Sequence, residues 1–177
     1  MLPHLLVAIS DAGTYENRPY PYPWTPRWKA QYTKEMVALA QRALAAYNGC
    51  KPGKTPATSC SLNLEAVEVQ AFDLETNNDA ELVLNARAKR NGQNLYVTVV
   101  GRVGSLAQVD KVFTGVTDDA HLDTTGRLEF IDAVDADGDA RGELLFRRLH
   151  NATQTFELYR VGREQMWKLF DGAESSL

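Results

Sequence analysis

The sequence predicts an α+β protein, mostly β, with an N-terminal helix followed by two tandem four-stranded antiparallel β units packed together. Three observations predict it. Apolar residues recur at helical spacing over 26–47, the period changes to two from about residue 62, and a strand–acidic loop–strand segment recurs at a constant offset of 62 residues. The 177 residues, 44% hydrophobic and 24% charged, can build one domain or two small ones with an ordinary core.

Residues 11–25 are rich in Pro, Tyr and Asn, and the alternate prolines Pro19, Pro21 and Pro23 favour extended, polyproline-like backbone. Thr25-Pro26 is a helix-start signal, a cap followed by a proline whose missing N–H costs nothing in the first turn. Trp28, Tyr32, Val37, Leu39, Ala40, Ala43, Leu44 and Tyr47 then form one apolar face, and Asn48-Gly49 supplies the stop. That face needs a partner, most simply the sheet that follows. Tyr20, Tyr22, Trp24 and Trp28 are expected to strap the helix onto that sheet; an aromatic platform for a ligand or peptide is the alternative. Cys50 and Cys60 flank a short loop with Pro52, Gly53 and Pro56, so a disulfide is sterically easy, with two free thiols as the alternative. Residues 1–62 are thus expected to be an extended segment, helix and cysteine loop packing on a β domain at 63–177.

Eight strands are expected, at 65–72, 80–89, 95–103, 110–117, 127–134, 142–149, 155–161 and 164–170. In the second, Leu82, Leu84, Ala86 and Ala88 alternate with Val83, Asn85, Arg87 and Lys89, the pattern of a strand with one wet face. Trp167 is expected in strand core. The connections, such as Lys89-Arg90-Asn91-Gly92, are too short for parallel crossovers, which favours antiparallel meanders.

Aligned at the offset of 62, Asp73 meets Asp135, Asn77 meets Asp139, Glu81 meets Glu143 and Leu82 meets Leu144 without a gap. The order of acids makes a duplication the better explanation than shared turn composition, with one repeat at about 63–124 and the other at about 125–177.

Asp135, Asp137 and Asp139 stand at alternate positions, with Glu143 four residues on. Four carboxylates this close repel one another unless something neutralises them, and a hard cation taking oxygen ligands in flexible geometry does so. The expected calcium set is the three aspartates, Glu143 and the carbonyl of Arg141, with Gly138 letting the backbone curl. The alternative is a solvated acidic turn partly neutralised by Arg141, Arg147 or Arg87. In the earlier copy Asp73, Glu75, Asn77, Asp79 and Glu81 form a weaker set, and Asn78 suits a left-handed backbone. An EF-hand fits poorly, because glycine at position six and glutamate at twelve are both missing. Zinc is not expected, since His4, His121 and His150 lack ligand spacing.

The segment from Asp135 through Leu144-Leu145-Phe146 resembles the calcium loop of FG-GAP and VCBS repeats, found in integrin alpha subunits and many secreted bacterial proteins. Those loops carry acids at positions one, three, five and nine of a β-hairpin, followed by an apolar strand. Here Ala140 occupies position six, where the family usually has glycine. The resemblance covers two short hairpins. It implies calcium coordination and an extracytoplasmic, periplasmic or secreted setting, with the signal not present in the chain.

A net charge of −4 disfavours a general nucleic-acid partner, and no stretch approaches a membrane span. No G-x-S-x-G, H-E-x-x-H, P-loop or G-x-G-x-x-G motif occurs. His121, in an Asp-rich loop, and His150 at a strand end are weak candidates for base catalysis. The leading expectation is a non-enzymatic, calcium-stabilised β-rich module with a structural or binding role toward a protein or glycan partner. The alternative is a carbohydrate-active or other hydrolase using Asp and His side chains.

Overall fold

The computed structural model describes residues 21–50 and 62–177. One helix, α1 (Pro26–Tyr47), precedes nine strands: β1 (Leu64–Phe72), β2 (Glu81–Arg90), β3 (Gln93–Val103), β4 (Val109–Asp118), β5 (Arg127–Val134), β6 (Glu143–Leu149), β7 (Thr153–Val161), β8 (Met166–Asp171) and β9 (Ser175–Ser176). They form two antiparallel sheets, the first in order β1-β2-β3-β4 and the second in order β5-β6-β7-β8, with β9 also pairing β7. The α+β, mostly β architecture is therefore as the sequence predicts. β9 is an addition to the expected eight strands, and Tyr20 and Cys60 lie outside the described residues. Cys50 is disulfide-bonded.

The helix begins and ends where its caps put it. Thr25 Oγ1 accepts from Trp28 N at 3.3 Å, Pro26 opens the first turn, and Asn48 and left-handed Gly49 (φ 72°) close the last. Its buried stripe, Tyr32, Met36, Leu39, Ala40 and Leu44, packs chiefly on β3 and β4. Tyr22, Trp24 and Trp28 pack against the same core, as the strap expectation required. Two polar ties hold the helix to the β3–β4 turn: Gln31 Nε2 donates to Ala107 O at 3.1 Å, and Glu35 accepts from Val109 N at 2.7 Å. Between β2 and β3, Asn91 (φ 50°) and Gly92 (φ 81°) make the two-residue left-handed turn that matches the twist of a hairpin.

The second face of the first sheet is covered at Val83 and Asn85, which revises the expected wet face of β2 there, while Lys89 at the other end of the strand is exposed as expected. Leu82, Leu84, Ala86 and Ala88 face the helix. Val83, with Val100 and Val112, faces the second sheet and packs on Leu144, Phe146, Tyr159 and Val161. The rings of Phe72, Phe130, Phe146 and Tyr159 form a chain through this second core, with centroids 5.2–5.8 Å apart.

Asn85 explains how the sheets are joined. β5 is an edge strand, and an open edge leaves N–H and C=O groups without strand partners. Asn85 Nδ2 donates to Leu128 O at 2.9 Å while its Oδ1 accepts from Phe130 N at 3.0 Å, so the carboxamide replaces a peptide group of a neighbouring strand. Thr98 Oγ1 adds a second bond to Leu128 O at 2.7 Å. A polar residue on the presumed wet face is thus a joint between sheets.

Trp167 contradicts its expected place in strand core. It lies on the β8 edge with 47% of its surface exposed, next to exposed Leu169 and Phe170. Among the described residues β8 pairs with one strand alone, β7, so strand periodicity did not bury it.

Candidate cation site in two acidic hairpin loops

The β1–β2 and β5–β6 connections are built alike. In the first, Asp73 accepts from Asn77 N (2.9 Å) and Asn78 N (3.1 Å); in the second, Asp135 accepts from Gly138 N (2.7 Å) and Ala140 N (3.0 Å). Each loop turns through left-handed residues at matching positions: Thr76 (φ 53°) and Asn78 (φ 63°) in one, Gly138 (φ 77°) and Ala140 (φ 65°) in the other. At the end of each loop a glutamate opens the next strand and is buried, Glu81 at 1% and Glu143 at 0% exposure. Each accepts a backbone N–H from across its loop, Leu74 N to Glu81 at 3.0 Å and Ala136 N to Glu143 at 2.9 Å. Gly142 N donates to Leu74 O at 2.7 Å, so the two loops touch.

Of the expected calcium ligands in the later loop, Asp135, Asp137 and Glu143 offer carboxylate oxygens that all lie within 4.8 Å of one another, the one such acidic, histidine or cysteine group among the described residues. Asp139 is turned to other work: Oδ1 accepts from Arg141 N at 2.9 Å and Oδ2 faces Arg160 at 3.2 Å. In the earlier loop Asp73, Glu75, Asn77, Asp79 and Glu81 do not converge in that way. There Asn77 bonds Glu75 (3.0 Å) and Asp79 N (2.8 Å), and Asp73 is spent on the backbone.

Each loop receives a guanidinium from a neighbouring strand, Arg160 from β7 and Arg102 from β3, that the spacing of the acids did not reveal. Arg160 reaches Glu143 at 2.6 Å, Asp137 at 2.9 Å and Asp139 at 3.2 Å. Arg102 reaches Glu75 at 2.9 Å, Asp79 at 3.3 Å and Glu81 at 3.4 Å. Of the arginines named as alternative neutralisers, Arg87 pairs with Glu65 and Arg147 with Glu129, while Arg141 stays in the loop and donates its backbone N–H to Asp139. The signal was the strand register. Glu81 stands opposite Arg102 across β2–β3, and with Leu144 opposite Tyr159, Arg160 falls beside Glu143 across β6–β7.

The electrostatics follow from burial and these partners. Burial pushes the Glu81 carboxyl up to about 7, opposed by the Leu74 N–H and by Arg102. Burial also raises Glu143, opposed by the Ala136 N–H and by Arg160. Arg160 is held more firmly protonated, chiefly by its hydrogen bond to Glu143. The site thus holds a fixed monovalent cation among acids that outnumber it.

The histidine candidates have structural partners. His121 Nδ1 lies 2.6 Å from Asp118 and 3.3 Å from Tyr47 Oη, pinning the end of α1 to the loop after β4. Tyr47 Oη donates to Asp118 at 3.0 Å. His150 Nδ1 is 2.8 Å from Leu122 O. A second ion cluster, in which Glu157 meets Arg148 and Lys168 at 2.8 Å each and accepts from Tyr159 Oη at 2.8 Å, stands inside the second sheet.

No protein-family model, curated protein or solved structure matches this chain. No helix among the described residues is long and apolar enough to cross a membrane.

Proposed function

We propose that the protein is a non-enzymatic β-rich binding or scaffold module whose β5–β6 loop takes calcium through Asp135, Asp137 and Glu143. The observation that carries this reading is the convergence of three carboxylates, one of them wholly buried, on a loop already curled by left-handed residues. Hard oxygen donors of this number suit calcium, with the Arg141 carbonyl and water completing the shell. Extracellular calcium of about 1 mM acting on a site with a dissociation constant of about 0.1 mM would stabilise the fold by roughly 1.4 kcal/mol. An ion of that strength is a structural tie, and it fits the secreted or periplasmic setting that the FG-GAP and VCBS resemblance implies.

Arg160 supports a second reading, in which the guanidinium is the permanent counter-charge and no metal enters. Thermal melting in calcium and in EDTA, on the wild type and on Asp137→Ala, separates the two. The calcium reading expects a higher melting temperature in calcium for the wild type alone. Identical melting of the wild type in calcium and EDTA would favour the guanidinium. The hydrolase alternative finds no carboxylate in the lining of the cavity of about 370 Å³ between Thr98, Thr117, Gly126 and Arg148.

A further inference from the structure

The outward face of the second sheet is apolar, and no helix or strand among the described residues lies on it. Leu144, Phe146, Tyr159 and Val161 point toward the first sheet, so the pleat turns Leu145, Phe156 and Leu158 the other way. In strand register Leu145 stands opposite Leu158, and Leu158 opposite Phe170. The equivalent row one repeat earlier is Val83, Val100 and Phe113, and that row is where the first sheet packs on the second. On the second sheet the row lacks such a cover at its β8 end, where Phe170 is 54% and Trp167 47% exposed. Apolar surface grouped in this way on a folded domain marks an interaction site more often than chance.

The two ends of this face carry opposite surplus charge. Where β5 begins, Arg127 and Arg147 share Glu129 at 2.5 and 2.6 Å, two guanidinium groups on one carboxylate. Beside the acidic loop, Arg160 meets Asp137, Asp139 and Glu143, one guanidinium among three carboxylates. The face is therefore complementary to itself when reversed. A second copy can be laid face to face, turned about a two-fold axis that lies between the sheets and runs across the strands. Each basic end then covers the acidic end of the other copy, and the contact closes as a dimer. Leu158 and Phe170 fall near the middle. Trp167, which pairs with Arg160 near the acidic end, meets the Phe156 end of the other copy, since Phe156 pairs with Arg147. Four strands about 4.8 Å apart and about six residues long make a face of roughly 20 Å by 20 Å. With its rim of long side chains it buries on the order of 500 Å² per copy, the small end of specific interfaces, which suits a weak dimer.

We propose that the outward face of the second sheet is a docking surface for a second copy of this chain, held in the reversed, two-fold arrangement. The proposal does not rest on the calcium reading, and its test is run in EDTA. The experiment is analytical ultracentrifugation of the full chain from about 5 to about 500 μM, at about 50 and about 500 mM NaCl. The expected result is a monomer–dimer equilibrium whose affinity falls about tenfold at the higher salt. Phe170→Glu should stay monomeric throughout. Its melting temperature should remain within about 2 °C of the wild type, because more than half of that side chain is already exposed. Leu106→Glu, which alters an 80% exposed leucine in the β3–β4 turn, should dimerise as the wild type does. A wild type that is monomeric at every concentration would overturn the proposal and leave the face to a different protein. Dimerisation that begins only when residues 1–20 are removed would overturn it in favour of that segment. A dimer that survives Phe170→Glu, or that ignores salt, would equally overturn it, since the contact would then lie elsewhere or lack the opposed charges.

Discussion

Replacing Arg160 with methionine keeps an aliphatic stem of similar reach and removes the charge, so its effect isolates the guanidinium. Arg160 contacts three acids, and they are not equal. Asp137 and Asp139 are well exposed, and exposed pairs contribute only about 0–1 kcal/mol each. Glu143 is wholly buried and takes two guanidinium contacts, at 2.6 and 3.0 Å. Removing one partner of a buried pair costs about 3–5 kcal/mol, because the remaining charge has no compensation. The Ala136 N–H still donates to Glu143, and its carboxyl, already raised by burial, can take up a proton. The expected loss in EDTA at pH 7 is therefore near the lower end, about 3 kcal/mol, and smaller at pH 5. If calcium enters through Asp135, Asp137 and Glu143, it supplies the missing positive charge, and Arg160→Met should recover more stability in calcium than the wild type gains. Urea denaturation of both proteins at the two pH values, with calcium and with EDTA, gives all the quantities. Equal stability of variant and wild type in EDTA at pH 7 would refute the role given to Arg160. Failure of calcium to restore the variant would remove the metal from the account.

Three further outcomes are expected. Asn85→Leu should cost about 2–3 kcal/mol in urea denaturation, since it leaves Phe130 N without its partner at the sheet joint and Leu128 O with Thr98 Oγ1 alone; a loss under 0.5 kcal/mol would mean that the carboxamide is dispensable. Ala140→Gly should stabilise by about 0.5–1 kcal/mol, because φ of 65° is left-handed and suits glycine, and a lower melting temperature would contradict this. The acid limb should depend on Glu157, where the bonds from Arg148, Lys168 and Tyr159 outweigh burial and hold the carboxyl down at about 2. A depressed carboxyl stabilises fully above its ordinary 4.5, and this stability, about 3 kcal/mol, is lost as pH falls toward 2. Glu157→Gln should flatten the urea stability profile over that interval, and an unchanged profile would place the acid sensitivity elsewhere. Glu81, raised to about 7, has the opposite sign: its contribution is present below 4.5 and lost as pH rises through 7.

Local signals determined the elements of this protein. Thr25-Pro26 and Asn48-Gly49 bounded the helix, alternation marked the strands, Asn91-Gly92 set a hairpin, and spaced acids marked both loops, because caps, turns and pleats act over a few residues of contiguous chain. The tertiary structure decided what those elements face. Val83 and Asn85 read as a wet stripe because alternation shows that two faces differ and says nothing of a second sheet laid over one of them. Trp167 read as core for the same reason, since burial depends on what lies across an edge strand. Arg160 and Arg102 escaped notice because they stand in the next strand, close in space to Glu143 and Glu81 but 17 and 21 positions away in the chain. Spacing along the chain could gather the acids; only strand register could bring the positive charge to them, because pairing between strands sets which distant side chains share a face.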